Sequence, residues 1–298
     1  MRLSPTLLAL VPIAQAANVV LSNDDGWAEI NVRQFYDMLT SGGDSVVLSA
    51  PAENESGTGS LTGTPSTLSE ACEFDSCASG SSAYGSNSSN TRLNYVNSYP
   101  ATAMTYGIDT LSETYFGGSP DIAVAGPNVG ANLGAAVWVS GTVGATTAAV
   151  KLGIPGIAFS GTTGAQTAWD ISPVPSYSTV YAELAANITN TLIASGTPYL
   201  PTDIWLNVNF PASTDTSCSS AADFSFVLSR IFTATLISGD DAVTCGNGGR
   251  LPTETTVVDT SGCYASISVG SVNLDIDASA ADQTTVLDKL SSILSCLP

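Results

Sequence analysis

Asn18-Val19-Val20-Leu21-Ser22-Asn23-Asp24-Asp25-Gly26 is the stretch on which the fold turns. Its first half reads as a short buried strand over residues 18–22. That strand runs straight into two adjacent carboxylates. Two ionised carboxylates at the end of a buried strand repel each other, and burying both is costly unless a cation or a shared proton compensates. Two readings stay open on the doublet alone. Asn-Asp-Asp-Gly is good turn chemistry, since Asn and Asp bond their own backbone and Gly tolerates unusual dihedrals. The same residues at a sheet edge also suit a divalent metal ion.

Working outward, the pattern alternates strands with helices. A helix over 28–41 follows, with Val32, Phe35, Tyr36 and Leu39 on one face and Gly42-Gly43 as its stop. Residues 45–49 form a second strand, ended by Ala50-Pro51. Residues 51–92 are loop-like and rich in Ser, Gly, Asn and Thr, and loops of that length are usually functional or disordered. A short strand is expected at 93–96 and a helix at 101–111. A buried strand at 121–125 opens into the Gly-rich loop 126–134. Further helices are expected at 143–152 and 179–194, with strands at 156–160 and 204–209. Strand–helix alternation argues for a mostly parallel sheet covered on both faces. Residues 17–212 therefore read as an α/β core. Residues 213–298 read as a less regular extension of the same domain, with strands at 224–228 and 263–269 and a final helix at 281–294.

Composition excludes whole classes of chemistry. The 298 residues carry a net charge of −19, less from many acids than from a shortage of bases, with only seven Lys and Arg. Such a chain binds nucleic-acid duplexes and anionic membranes poorly. Histidine is absent, which removes Ser-His-Asp and Cys-His nucleophiles and His-ligated zinc. Carboxylates, hydroxyls, amides, backbone groups or a metal ion must do the work.

Residues 1–16 read as a secretory signal peptide: Arg2, an apolar run over 7–13 and the small-residue site Ala14-Gln15-Ala16. No segment is apolar and long enough to span a bilayer. Six cysteines suit an oxidising, extracellular setting, although spacing does not fix their pairing. The expected pairs are Cys72–Cys77 as a local clasp, Cys245–Cys263 tying a C-terminal hairpin, and Cys218–Cys296. Asn54, Asn87 and Asn187 stand in Asn-x-Ser/Thr sequons, and Asn87 and Asn187 are the glycosylation candidates.

In open α/β sheets ligands bind beyond the carboxyl ends of the strands. Three polar loops fall there. They carry Asn23, Asp24 and Asp25; Asn54 and Ser56; and Asn128 and Asn132. If their strands are neighbours, an all-oxygen ligand set results, suited to Mg²⁺, Mn²⁺ or Ca²⁺. Ser140-Gly141-Thr142 stands at a helix N-terminus. Its residues are ordinary N-cap chemistry, and beside a metal they also make a cradle for an anion. No Lys-Ser/Thr follows the glycines, so the loop is not a Walker A motif.

Asn23-Asp24-Asp25-Gly26, Ala50-Pro51 with Asn54, Ser56 and Gly57, Gly126 with Asn128, Gly130, Ala131, Asn132, Leu133 and Gly134, and Ser140-Gly141-Thr142-Val143-Gly144 together resemble the SurE-type survival-protein phosphatases, a family of nucleotidases and acid phosphatases. The secreted, cysteine-containing form resembles its fungal branch. The resemblance implies a three-layer αβα fold and hydrolysis of phosphate monoesters, such as nucleoside monophosphates, by metal-activated water. It implies Asp24, Asp25, Ser56 and Asn128 as metal ligands, with Asp24 or Asp25 handling the water. Asn23, Asn54, Asn132 and Ser140-Gly141-Thr142 would line the substrate and phosphate pocket. A role for Asn54 there argues against a glycan on it. Bacterial relatives carry charged Asp and Arg residues where this chain has Ala52, Glu53 and Glu55, which implies weaker attraction for polyanions such as polyphosphate. Trp27-Ala28-Glu29 replaces an Ala-Pro-Gly stretch, and Pro127 a common aliphatic residue. The hairpin through which bacterial relatives oligomerise has no clear match, so a homo-oligomer stays open.

Three rival readings have distinct consequences. A covalent aspartyl phosphate on Asp24 lacks the Asp-x-Asp-x-Thr pattern that would support it. A glycosidase needs two carboxyls roughly 5–10 Å apart across a cleft, which an adjacent doublet supplies poorly. A secreted non-catalytic protein with a structural Ca²⁺ site at the doublet predicts metal-dependent stability and no turnover.

Overall fold

The computed structural model describes residues 16–273 and 276–298, so nearly all of the expected signal peptide lies outside the described residues. In chain order the first elements are β1 (Asn18–Ser22), α1 (Ile30–Ser41), β2 (Ser45–Pro51), β3 (Tyr84–Ser86), β4 (Leu93–Val96), α2 (Pro100–Tyr106), α3 (Ser112–Phe116), β5 (Ile122–Val129), α4 (Gly141–Lys151) and β6 (Gly156–Gly161). They are followed by α5 (Ser176–Ala194), β7 (Ile204–Phe210), β8 (Ser225–Ser229), α6 (Glu254–Asp259), β9 (Tyr264–Ser271), β10 (Ile276–Asp277), α7 (Ala280–Leu290) and β11 (Leu294–Ser295).

The described strands form one sheet in the order β11-β8-β9-β7-β6-β5-β1-β2-β4-β3, with β10 paired to β9. From β4 to β7 every pairing is parallel. After β1 the chain first moves to β2 and β4, then returns to place β5 on the other side of β1. The crevice between β1 and β5 is thus the switch point of the sheet, where open α/β folds bind their ligands. The β1 register pairs Ser22 with Ala125, so Asp24 and Asp25 leave the sheet beside the Gly126–Asn128 segment.

The layers follow from alternation along β1. Val19 and Leu21 join the apolar cluster that contains Phe35 and Leu39 of α1 and Leu184 and Ile188 of α5. Val20 points to the other face, with Met104 of α2 and Ala145 and Ala149 of α4. Helices thus cover both faces, giving a three-layer αβα architecture, and strands buried on both sides read as continuous apolar runs.

Several boundaries differ from the sequence pattern for visible reasons. The helix expected at 101–111 breaks into α2, a π-turn over Gly107–Leu111, and α3. Gly107 lies so close to the sheet that a Cβ there would sit 2.7 Å from Val20 Cγ1. The last helix ends at Leu290, and Leu294–Ser295 instead pairs with β8 as a parallel edge strand. Past residue 213, β8 to β11 continue the same sheet, with β9 antiparallel to β7.

Cys72–Cys77 pairs as expected. The other two expected disulfides are wrong: the bonds are Cys218–Cys263 and Cys245–Cys296. No hairpin joins residues 245 and 263. That segment carries α6, and it connects the parallel neighbours β8 and β9. Ser225 N–H donates to Cys263 O at 2.9 Å, which brings the start of β8, and Cys218 before it, to Cys263. β11 beside β8 carries Cys296 to the loop of Cys245.

Candidate metal and phosphate site

Asn23, Asp24 and Asp25 are all buried at the end of β1. Asn23 serves the turn reading: its Nδ2 donates to Gly26 O at 2.8 Å, and its Oδ1 accepts from Gly26 N–H at 3.2 Å. Gly26 adopts φ +105°, a left-handed dihedral that favours glycine. The turn and the buried acid pair are therefore one object, and the two readings of the doublet do not compete.

Each Asp is held by a different loop. Asp24 Oδ1 accepts from Thr142 Oγ1 at 2.6 Å, at the first turn of α4. Gly141 makes that approach possible, since a Cβ there would lie 2.7 Å from Asp24 Cβ. Asp25 Oδ2 accepts from Val129 N–H at 2.8 Å. Glu55 N–H donates to Asp24 O at 2.7 Å, which draws the loop of Asn54 and Ser56 to the doublet. Asn54 Oδ1 accepts from Ser56 N–H at 2.8 Å, and both residues are exposed.

Burial raises the pKa of Asp24, opposed by the Thr142 hydroxyl and by the N–H groups of Thr142 and Gly141. Burial and then the charge of Asp24 push Asp25 well above the ordinary carboxylate range. Among the described residues, ion pairs occur only at Arg230 and Arg250 with Asp241 and Asp277, so no base neutralises the doublet. Asn128, buried in the extended end of β5, donates through Nδ2 to Gly130 O at 2.7 Å, and its Oδ1 has no partner. Two under-compensated carboxylates and an orphaned amide oxygen fit a hard cation. No group of three or more His, Cys, Asp or Glu suited to a metal ion occurs among the described residues. A ligand set here must therefore mix carboxylate, amide and hydroxyl oxygens.

The remaining expected residues carry structural hydrogen bonds, the N-cap expected of Ser140 among them. Ser140 Oγ caps α4 by accepting from Val143 N–H at 3.2 Å, and Thr142 holds Asp24. Asn132 Nδ2 donates to Ser160 Oγ at 2.8 Å, while Asn132 O accepts from Asn207 Nδ2 at 2.9 Å and from Asn209 Nδ2 at 3.2 Å. Asn132 is thus part of a buried strut beneath the Gly-rich loop. Glu254 completes the strut: it accepts from Gly134 N–H at 2.7 Å and from Asn207 Nδ2 at 2.9 Å. Burial lifts its pKa to about 8 against the hydrogen bonds it accepts.

Sequence reading missed Glu29, Glu73, Gln166, Asn207, Asn209 and Glu254. The two Asn alternate within the buried strand Ile204–Phe210, and polar residues on an otherwise apolar strand are a usable signal. Glu29 caps α1 by accepting from Asn31 N–H at 2.6 Å. Burial, then the charge of Asp25, raises its pKa well above normal. Arg33, the base of α1, is also buried; its guanidinium lies 5.0 Å from the Trp27 ring and 5.7 Å from the Trp169 ring.

Comparison with known proteins shows the family to which the chain is similar. Residues 19–230 match the family described as survival protein SurE. The chain is 33% identical to an acid phosphatase of Yarrowia lipolytica, over 91% of this chain and 84% of that protein. It is 32% identical to a 5'-nucleotidase SurE of Maridesulfovibrio salexigens over 48% of this chain and 50% of that one. The crystal structure of the SurE protein from Aquifex aeolicus superposes with a TM-score of 0.60 at 21% identity, covering 92% of this chain and 99% of that one, which shows the shared fold. With a match that spans β1 to β8 and all four motif loops, this chain belongs to the SurE survival-protein family.

Proposed function

We propose that this chain is a secreted, metal-dependent phosphomonoesterase of the acid-phosphatase or 5'-nucleotidase type. The observation that carries the reading is the buried Asp24-Asp25 pair at the switch point, uncompensated by any base among the described residues, beside the orphaned Oδ1 of Asn128. The names of the Yarrowia and Maridesulfovibrio relatives support it. Three disulfides fit export to an oxidising compartment. No helix among the described residues is long and apolar enough to cross a membrane. Asn187 stands on the exposed side of α5, open to a glycan.

Asp24, Asp25, Ser56 and Asn128 would hold a divalent ion, Mg²⁺ or Mn²⁺, with Ca²⁺ meeting the same donor chemistry. When bound, the ion supplies Lewis-acid polarisation of the phosphoryl group and a lowered water pKa. The protein's own groups do the rest. Thr142 fixes Asp24, and the Val129 N–H occupies Asp25 Oδ2, so Asp25 Oδ1 remains to face the ion or to take a proton from the attacking water. The first turn of α4 brings positive helix-dipole potential to the phosphate, and the Asn54 and Ser56 side chains stand exposed on the loop that Glu55 N–H ties to Asp24 O. Preorganised dipoles of this kind matter more here than usual, because a chain at −19 repels a phosphate dianion at long range.

The test is a panel of nucleoside monophosphates, p-nitrophenyl phosphate and sugar phosphates, assayed after chelation and after add-back of each ion. Turnover lost with EDTA and restored by a divalent ion is the expected result. Metal-dependent stability without turnover of any ester would instead favour the structural Ca²⁺ reading.

A further inference from the structure

We propose that Glu73 is a positioning residue for the acid doublet, presented by the turn that the Cys72–Cys77 disulfide clasps. This rests on the phosphatase reading above. Glu73 lies far along the chain from Asp25, yet Gln166 joins them. Gln166 Nε2 donates to Glu73 Oε1 at 2.8 Å and also to the carbonyl oxygen of Asp25. On the other side of the same residue, Val129 N–H holds the Asp25 carboxylate. Asp25 is therefore pinned at its backbone by one loop and at its side chain by another.

Gly26 shows how closely Glu73 approaches. A Cβ on Gly26 would stand 2.3 Å from Glu73 Oε2, an oxygen that is itself buried without a partner. The left-handed turn after the doublet thus leaves the space into which this third carboxylate fits. The turn that carries Glu73 is held from several directions. Phe74 and Asp75 both adopt positive φ, at 56° and 54°, which non-glycine residues keep only where the surroundings enforce it. The enforcing contacts are the disulfide, Glu73 N–H to Ala52 O at 3.2 Å, and Trp27 Nε1–H to Ser76 Oγ at 2.8 Å. Ala52 and Trp27 belong to the two loops that also carry Ser56 and Asp25. The clasped turn therefore ties the loops after β1, β2 and β6 into one frame around the doublet. Small misplacements of reacting groups cost large factors in rate, so a frame of this kind acts on turnover rather than on substrate binding.

The experiment is steady-state kinetics on p-nitrophenyl phosphate with saturating Mn²⁺ for the wild type, E73Q, E73A, Q166A and the E73A/Q166A double variant, with melting temperatures alongside. E73Q keeps an oxygen acceptor for Gln166 and should stay within about twofold of wild-type kcat. E73A and Q166A should each lose at least about fivefold in kcat with KM little changed. The double variant should lose no more than either single one, because one chain of contacts is broken in each case. The paired C72S/C77S variant should resemble E73A, and Q166A serves the purpose if E73A does not fold. Smaller kcat losses in E73A and Q166A, losses that multiply in the double variant, or a fall in melting temperature with kcat intact would overturn the proposal while leaving the phosphatase reading standing. A wild type without metal-dependent turnover removes both.

Discussion

Replacing Glu254 by Gln should flatten the pH dependence of this protein's stability. Glu254 is fully buried, and burial lifts its pKa from the ordinary 4.5 to about 8. A carboxyl raised in the folded state binds more protons folded than unfolded between those two values. Its contribution is therefore fully present below about pH 4.5 and is lost as pH rises through about 8. Integrated from pH 5 to pH 8, that linkage is worth roughly 3 kcal/mol. Asp24, Asp25 and Glu29 shift in the same direction, but they do so in both proteins, so the difference between wild type and E254Q isolates Glu254. The amide of Gln keeps the shape of the carboxyl. One of its NH₂ donors would then face Asn207 Nδ2, and the buried, unpartnered Asn207 Oδ1 is the acceptor an amide flip would bring round. That rearrangement sets the variant's absolute stability, while the slope with pH is the readout. Urea unfolding in the presence of a chelator at pH 5, 6, 7 and 8 measures it. The wild type should lose about 3 kcal/mol more than E254Q across this range. Equal slopes, or a wild type that gains stability towards pH 8 relative to the variant, would refute the reasoning.

Two further substitutions probe the site itself. Gly141→Ala forces a methyl to within 2.7 Å of Asp24 Cβ and 2.9 Å of Pro100 Cγ; overpacking of this kind costs roughly 1–3 kcal/mol, and turnover should fall with it because Asp24 is displaced. Unfolding curves and kcat measured together check this, and an unperturbed variant would mean that α4 does not press on the doublet. Replacing the exposed Glu53 and the half-buried Glu55 with Lys reverses the charge on the loop that reaches Asp24 O. Its kcat/KM for tripolyphosphate should rise by roughly tenfold at low salt and by much less at high ionic strength, while p-nitrophenyl phosphate changes less. A salt-independent or uniform change would show that the loop's charge does not select substrates.

Much of the fold was legible because its information is local. The strand over residues 18–22, the strand at 93–96 and the helix that ends at Ala194 follow directly from apolar periodicity and Gly or Pro stops. The mostly parallel character of the core follows from strand–helix alternation, whereas the switch point depends on β2 and β5 flanking β1, a neighbour relation that the sequence leaves open. What stayed hidden depends on pairing between distant segments. No local pattern reveals that Leu294–Ser295 leaves the expected helix for the edge of β8, and the disulfide error came from expecting a hairpin between residues 245 and 263, where α6 lies. In the site, the doublet stood out because paired carboxylates are unusual at the end of a buried strand, and Asn128 stood out through the family resemblance. Glu73 and Gln166 did not, since each looks like an ordinary polar loop residue until the turn between Cys72 and Cys77 folds back. Ser140 and Thr142 were legible as helix-cap residues, but the partner of Thr142 was not, because Asp24 lies 118 positions away in the chain.

The central claim is that the buried doublet holds the ion and performs the hydrolysis. Asp24→Asn and Asp25→Asn each remove one charge and keep the side-chain shape, and the amide introduced by Asp24→Asn would still offer Thr142 an acceptor oxygen. Phosphomonoesterase activity with saturating Mn²⁺, measured beside the unfolding transition of each variant, tests the claim most directly. Turnover reduced by at least about a thousandfold, in variants whose metal-free form unfolds no earlier than the wild type, is the predicted result, since removing like-charge repulsion and the cost of burying a carboxylate offsets what the substitution loses. Wild-type turnover in either variant would contradict it.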